Sequence, residues 1–556
     1  MRPRLVGERV PRVNDERVLR GGGRYVDDLE LPGMLHAAIV RSPVAHGVLN
    51  GVEPPELPDG TWLIGPEELA RHATGHFPVL WWLGDQTQHH TPLLDGRVRY
   101  VGQPVAVIVA ASRYEAEDLA EQVFVDVEEL APVVGIDNAL APDADVLYPE
   151  LGSNVLCTFE AGDTAEHTDA VFAAADRTLQ TTLRIGRVSG LPMEPRGIVA
   201  DAPADGRIVV HTSTQAPHAV RDGICDVLEV PQHRVRVITP DVGGGFGLKD
   251  HLYEDELMVI VASRLIGRPV KWIEDRTESL LATTHARDEI HDIEVAFDDD
   301  GTLRGLRVHS RRDAGGRFAV FGGGPLFTAL GVAPGPYRWE AMRGVGRLVA
   351  TTTMSTGAYR GFGQTQAAMI RERAVQLVAA ELGRHPAELR EQNMIRPDEL
   401  PYQIRTQIVY DNGDYAAALR RARELIEATP PAPDDGRRRG TGWCSFVQLA
   451  GVGPSFLNEI IGVRIGGFES ARVRMEPDGT VQVATGVNPH GQGHETTFAQ
   501  LVADELGIPI DHVQLVHGDT DATPYSAYGT AASRSIAVGG GATVIATQRV
   551  ADKLRA

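Results

Sequence analysis

"DVGGGFGLKD", residues 241–250, puts four glycines and a phenylalanine into five consecutive positions and closes on a lysine and an aspartate. Glycine accepts φ > 0 and lets a neighbour approach the backbone closely, so something must lie against this stretch. The preceding "HRVRVITP" alternates apolar and polar residues, as a strand does. The following "HLYEDELMVIVASRLIGRP" carries Leu257, Ile260, Val261 and Leu265 at helical spacing, with Gly267 where a helix stops. Strand, glycine-rich turn and helix start together offer unpaired backbone N–H groups to an anion; the plainer alternative is an ordinary tight turn. Neither familiar phosphate motif fits. Counting G-x-G-x-x-G from Gly243 ends on Leu248, and Lys249 is followed by Asp250, where a P-loop needs Ser or Thr.

A chain of 556 residues has room for roughly two to four domains with large cores. Its 54 basic and 75 acidic residues leave a formal charge of −21, which argues against nucleic acid or an anionic membrane as partner. The start shows no secretory apolar region, and no run approaches the roughly 18 apolar residues of a spanning helix. Cys157, Cys225 and Cys444 are scattered and form no C-x-x-C pair. A disulfide framework, a structural zinc site and an iron–sulfur cluster are therefore not expected within the chain. The expected compartment is the reducing cytoplasm.

Along the chain, "GMLHAAIVRS" and "QPVAVIVAAS" read as strands and "RYEAEDLAEQVFVDVEEL" as a helix running into a strand. The proline and aspartate content of "APDADVLYPELGSN" suggests a crossing linker at 141–165, between a first domain at 1–140 and a second at 166–410. Two helices follow, one with Ile370, Ala374, Leu377, Val378 and Leu382 on its apolar face, the other with Tyr415, Leu419, Ala422 and Ile426. "TPPAPDDGRRRG" at 429–440 breaks the last region, 411–556, whose clearest helix carries Phe498, Leu501, Val502 and Leu506. Three more glycine-rich or small-residue loops resemble the first: "GAYRGFGQTQ" at 357–366, "TGVNPHGQGHETT" at 485–497 and "YGTAASRSIAVGGGA" at 528–542. Each stands before a helical stretch. Four such loops suggest one extended anionic ligand gripped by backbone N–H groups from several segments.

"STQAPH", "GGGFG", "AYRGFG" and "GQGHETT", in that order, resemble the molybdopterin-binding large subunit of the xanthine dehydrogenase/aldehyde oxidase family, as do "GRYVDDLELPGMLHAAIVRSPVAH", "VRYVGQPVAVIV" and "HGDTDATPY". The resemblance covers nearly the whole chain. It implies an α+β (α/β) fold: a hammerhead-like N-terminal domain, then two elongated molybdopterin-binding domains, the last incomplete. It also implies molybdenum held by a pterin dithiolene rather than by side chains, with the pterin extended to the cytosine dinucleotide form. Carried over by residue, Gln215 resembles the glutamine that hydrogen-bonds an oxo ligand of molybdenum. Gly245, Phe246 and Gly247 resemble the loop beside the metal, and Arg360 the residue whose backbone amide points at it. Gly491, Gln492 and Gly493 resemble a pterin-contacting turn, and Ala531, Ala532, Ser533 and Arg534 a further cofactor loop. Phe362 resembles the aromatic wall of the substrate pocket. Asp250 falls where xanthine-type enzymes hold the heterocycle with a glutamate; as a residue near a helix start it would equally stabilise the helix dipole.

The departures also carry expectations. Leu248 replaces a family glycine and would narrow the substrate pocket or forbid φ > 0 there. Gly361 stands where carbon monoxide dehydrogenases carry a copper-binding cysteine, which argues against a molybdenum–copper site. The family's general-base glutamate, in a "GxGE"-like setting, is absent from this chain, so a second chain completing the last domain, a truncation, or loss of the redox chemistry are the open alternatives. The implied function is hydroxylation of an aldehyde or N-heterocycle with water-derived oxygen, electrons passing to a separate iron–sulfur subunit and an FAD subunit. The competing reading is a cofactor-free relative that uses the scaffold for binding or non-redox work. His490, His494 and His517 read as ordinary structural histidines, and the aspartates of "HGDTD" as turn caps rather than metal ligands.

Overall fold

Two large sheets organise the chain. The computed structural model describes residues 4–81, 83–86, 90–204, 206–318, 320–430, 435–451, 463 and 466–556. Seven strands form the first sheet, in the order Val235–Ile238, Ile208–Thr212, Gly197–Asp201, Val270–Ile273, Leu35–Arg41, Pro104–Ala110 and Trp62–Ile64. The first pair and the Leu35–Arg41/Val270–Ile273 pair are parallel, and the rest antiparallel. "PVAVIVA" is buried along its whole length, which accounts for its unbroken apolar run. The helix Glu254–Ile266 covers this sheet with Leu257, Ile260 and Val261 buried, and ends on Gly267 at φ 74 as expected.

The second sheet runs Arg177–Val188, Ala286–Phe297, Leu303–Gly315, Ala341–Ala350, Val155–Gly162. Only Leu303–Gly315 and Ala341–Ala350 are parallel. The helix Gln364–Glu381 packs its buried Ile370, Ala374 and Val378 into the same core, with Leu382 partly buried at its end. A smaller sheet, Ala471–Met475, Val481–Thr485 and Val513–Val516, carries the helix His494–Leu506, and Val502 packs against Val481 and Val483. A strap at the N-terminus lies over this last region. The Leu5 and Val6 N–H groups donate to the Asp504 carboxylate at 2.7 and 2.8 Å, Val13 N–H to Thr496 Oγ1 at 3.0 Å, and Arg17 pairs with Asp241 through two 2.7 Å bonds. Among the described residues, no helix is long and apolar enough to cross a membrane.

Three expectations need correction. The glycine stretch does not run directly into its helix. Six residues separate Gly247 from Glu254, and the helix opens on Glu254, Asp255 and Glu256. Glu256 Oε2 accepts the Tyr253 N–H at 3.0 Å, so the chain's own carboxylates occupy this helix start and Asp250 lies outside it. The stretch expected as a linker is packed: Leu147 and Tyr148 are buried, and Val155–Gly162 is a sheet strand. In the helix Tyr415–Glu427 only Leu419 is buried, and Ala422 and Ile426 are exposed. Part of the break at 429–440 lies outside the described residues.

Helix Glu254–Ile266 is pinned to the first sheet by a buried ion cluster. Arg196 bonds Asp255 Oδ1 at 2.6 Å and Glu274 Oε1 at 2.7 Å, with its guanidinium 3.9 Å from the centre of the Tyr253 ring. Burial pushes the neighbouring Glu256 carboxyl up to about 7. Removing only this cation leaves the buried Glu274 without a cation and Asp255 with Arg41 alone, and breaking a buried ion pair from one side costs about 3–5 kcal/mol. An Arg196→Met variant should therefore unfold at a clearly lower urea concentration than the parent; an unchanged midpoint would show that water already reaches these carboxylates.

Candidate functional site

Gln215 stands between the strand Ile208–Thr212 and the helix Pro217–Leu228, whose first residue is a proline that needs no N–H partner. It is 3% exposed. Its backbone N–H donates to Lys249 O at 2.6 Å and its carbonyl accepts the Thr530 N–H at 3.0 Å. Its side chain repeats the same two links: Oε1 accepts the Gly247 N–H at 2.8 Å and Nε2 donates to Thr530 O at 2.9 Å. These partners fix which end of the amide is oxygen. They also leave one Nε2 hydrogen without an acceptor among the described residues.

The glycine stretch is now explained by what lies against it. A Cβ on Gly245 would sit 2.3 Å from Gln215 Oε1, and one on Gly243 would sit 2.5 Å from the Glu194 Cβ. Gly247, at φ 101, has the Ala358 carbonyl carbon 3.0 Å from where its Cβ would be. The protein itself therefore excludes side chains there. Glu194, in "LPMEPRG", organises the other end of the loop: Oε2 accepts Gly243 N–H at 2.7 Å, Ser213 Oγ at 2.6 Å and Lys249 Nζ at 3.0 Å. Sequence reading missed Glu194, because nothing local ties it to a lysine 55 residues away. Burial pushes the Lys249 ammonium below its usual range.

The other loops close on this one. Arg360 N–H donates to Phe246 O at 2.8 Å, so the amide expected to point at a metal is already spent. Its exposed guanidinium makes no hydrogen bond or ion pair among the described residues. The turn before Arg360 is held from below by the buried Arg312–Glu289 pair: Arg312 bonds Thr356 Oγ1 and Gly357 O, and Glu289 accepts the Gln366 amide at 3.0 Å. Asn488 joins the third and fourth loops, giving its Nδ2 hydrogen to Thr214 O at 3.0 Å and exchanging two bonds with the Thr530 hydroxyl at 2.7 and 2.6 Å.

Four of the nine non-glycine residues with φ > 0 among the described residues are Phe246, Phe362, Ala532 and Ser533, at φ 58, 42, 49 and 53. Each costs about 1–3 kcal/mol and persists only where its surroundings impose it. Among the described residues, the N–H groups of Gly244, Gly245 and Phe246, of Gly491 to Gly493, and of Ala531 to Ser533 have no partner. Consecutive free N–H groups at 531–533, with Ala532 and Ser533 in left-handed backbone, form a concave anion cradle.

Several expected residues are placed differently. Leu248 is fully buried and turned toward Gly190, whose Cβ would meet it at 2.6 Å, so it narrows no open pocket, and its φ is not positive. The Arg534 side chain is buried in an ion pair with Glu469 and bonds Gly467 O at 2.8 Å, so it is spent on structure. The Gln492 side chain folds back onto His490 N–H and the His494 ring, leaving only its backbone free. Phe362 already stacks on Trp81 at 5.3 Å, with Phe321 edge-on at 5.9 Å, so one aromatic face is covered. Asp250 is 4% exposed, with Oδ1 3.1 Å from His251 Nδ1, and burial raises its pKa. Burial pushes His490 down to about 4 and His494 to about 3. Asp519 and Asp521 of "HGDTD" pair with Arg236 and Arg207 at 2.6 and 2.7 Å, and Asp519 also caps the turn. No group of three His, Cys, Asp or Glu among the described residues can hold a metal ion.

This geometry makes a specific demand of Gly245. A Gly245→Ala chain should push the Gln215 amide off both Gly247 and Thr530, losing about 1–3 kcal/mol of stability. In a Gln215→Ala background the same change should cost far less. Additive costs in such a double-mutant cycle would mean the two residues do not touch.

Comparison with known proteins agrees with this arrangement. The family described as "Molybdopterin cofactor-binding domain" matches residues 147–394 and again 414–556. "Aldehyde oxidase and xanthine dehydrogenase, a/b hammerhead domain" matches residues 20–131. The carbon monoxide dehydrogenase large chain of Hydrogenophaga pseudoflava is 36% identical over 588 residues, covering 100% of this chain and 71% of that protein. The nicotine 6-hydroxylase large subunit of Paenarthrobacter nicotinovorans is 32% identical, covering 99% and 68%. The crystal structure of quinoline 2-oxidoreductase from Pseudomonas putida 86 superposes with a TM-score of 0.90 at 34% identity, covering 98% of this chain and 70% of that one. The chain belongs to the molybdopterin-binding large subunits of the xanthine dehydrogenase/aldehyde oxidase family, which are molybdenum oxidoreductases.

Proposed function

We propose that the chain binds molybdopterin in its cytosine dinucleotide form and hydroxylates an aldehyde or N-heterocycle with oxygen from water. Electrons then leave through a separate iron–sulfur subunit. The observation that carries this reading is that three glycine-rich loops meet at Gln215 and Thr530 and the fourth joins them through Arg360 N–H on Phe246 O, with runs of N–H groups unpaired among the described residues. When bound, the molybdenum–pterin group supplies a two-electron redox centre. The chain's own part is electrostatic and positional. The Gly247 and Thr530 bonds lock the Gln215 amide so that its remaining hydrogen is a preoriented donor, and such donors stabilise negative charge without reorganising. The N–H groups at 491–493 and 531–533 suit the anionic tail.

Glu194 accepts three donors through Oε2, while its buried Oε1 has no partner among the described residues. Because the 556 residues contain no "GxGE"-like setting, we infer that the general-base carboxylate comes from a further segment or a second chain. Gly361 offers no thiolate to copper, which supports an organic substrate over carbon monoxide. Leu248 packs on Gly190 and so gives the cofactor-free reading no support. Domain boundaries near 140 and 410 remain part of this proposal.

In the assembled enzyme, Gln215→Ala should lower kcat roughly 100-fold with molybdenum content nearly intact. Gly491→Trp should instead strip the cofactor, read as lost molybdenum by elemental analysis. Activity that survives both changes would reduce these loops to ordinary turns.

A further inference from the structure

The strap at the N-terminus carries a cation to one of the turns whose N–H groups are free. Arg12 lies beside Gly493: a Cβ on that glycine would stand 3.6 Å from Arg12 Nε and 4.0 Å from its Cζ. Two positions earlier the turn is open, since no described residue comes within 4 Å of where a Gly491 Cβ would be. The N–H groups of Gly491, Gln492 and Gly493 have no partner among the described residues. Arg12 itself is lightly held. Its Nε is 3.3 Å from Asp15, with both side chains exposed, and such a surface pair is worth at most about 1 kcal/mol.

The backbone around Arg12 is fixed on both sides. Before it, Leu5 and Val6 bond Asp504, and Leu5 O accepts the Gln500 amide at 2.8 Å. After it, Val13 bonds Thr496, the Asn14 amide donates to Glu495 Oε1 at 3.3 Å, and Arg17 holds Asp241. The short helix Asp15–Leu19 buries no residue, so apolar burial offsets little of the roughly 1–2 kcal/mol per residue that ordering a backbone costs. The turn also opens the helix His494–Leu506, and a guanidinium beside a helix start is repelled by the dipole. An anion between them reverses that sign, because it takes charge-assisted hydrogen bonds from both sides. We propose that Arg12 is a ligand of the cofactor's anionic tail, and that the strap clips the tail against the 491–493 turn. The inference rests on the cofactor-binding reading above and adds a residue to it. Held by hydrogen bonds rather than core packing, the strap belongs to the low-stability end of the molecule and can lift while the sheets stay folded.

The test compares Arg12→Ala, Arg12→Lys and Arg9→Ala in the assembled enzyme, Arg9 being another exposed cation of the strap. Molybdenum retained during dialysis against phosphate buffer is followed by elemental analysis. Arg12→Ala should release it about 10-fold faster than the parent, the scale of one hydrogen bond to a charged group. Arg12→Lys should keep most of the retention, and Arg9→Ala should match the parent. In the full chain stripped of cofactor, inorganic pyrophosphate titrated calorimetrically should bind about 10-fold more weakly after Arg12→Ala. Equal release from Arg12→Ala and the parent, or the same acceleration from Arg9→Ala, overturns the role of Arg12 while leaving the cofactor reading intact. A parent enzyme that carries no molybdenum overturns that reading, and the clip with it.

Discussion

Everything at the site hangs on one buried amide. Gln215 meets Gly247 and Lys249 on one side and Thr530 on the other, each link doubled by a backbone and a side-chain bond. A primary amide suits this position because it donates and accepts along a rigid plane. An ionised carboxylate would accept from Gly247 but face the Thr530 carbonyl with no hydrogen to give. The glycines follow from the same constraint, since Gly245 must lie flat against that side chain and Gly243 against Glu194. The large sheets act mainly as supports. One delivers the Gln215 strand end, and the other, through Arg312 and Glu289, delivers the turn that reaches Phe246.

Much of this was legible because it is local. Strand periods, the helix bearing Ile370 and the glycine clusters at 357–366 and 485–497 are all short-range patterns, and the structure places them as expected. Pairings across the chain were not legible. Glu194 with Lys249, Arg534 with Glu469 and Arg312 with Glu289 are ordinary residues in ordinary contexts until the fold makes them neighbours. Their burial then decides their roles: Arg534 looks like a ligand-binding cation in sequence and becomes a structural one once its guanidinium is covered. Leu248 shows the complementary failure. Its identity suggested a blocked pocket, but direction of the side chain is a tertiary property, and it turns inward.

Strain tells a similar story. Phe246, Phe362, Ala532 and Ser533 occupy left-handed backbone that no local preference would choose. The interlocking hydrogen bonds around Gln215 supply the compensation, and Phe246, Ala532 and Ser533 keep N–H groups without a partner among the described residues. Rigid support and unsatisfied donors therefore arise from a single arrangement.

The doubled link from Gln215 to Thr530 spans 315 residues of chain. A ribosome adds about 5–20 residues per second, so the glutamine emerges roughly 15–60 s before the threonine it must hold. The strap at residues 5 and 6 waits longer still for Asp504. Both large sheets have their strands in hand well before then, whereas the anion cradle cannot exist until residues 531–533 are made. Synthesis order thus separates folding of the scaffold from assembly of the cradle.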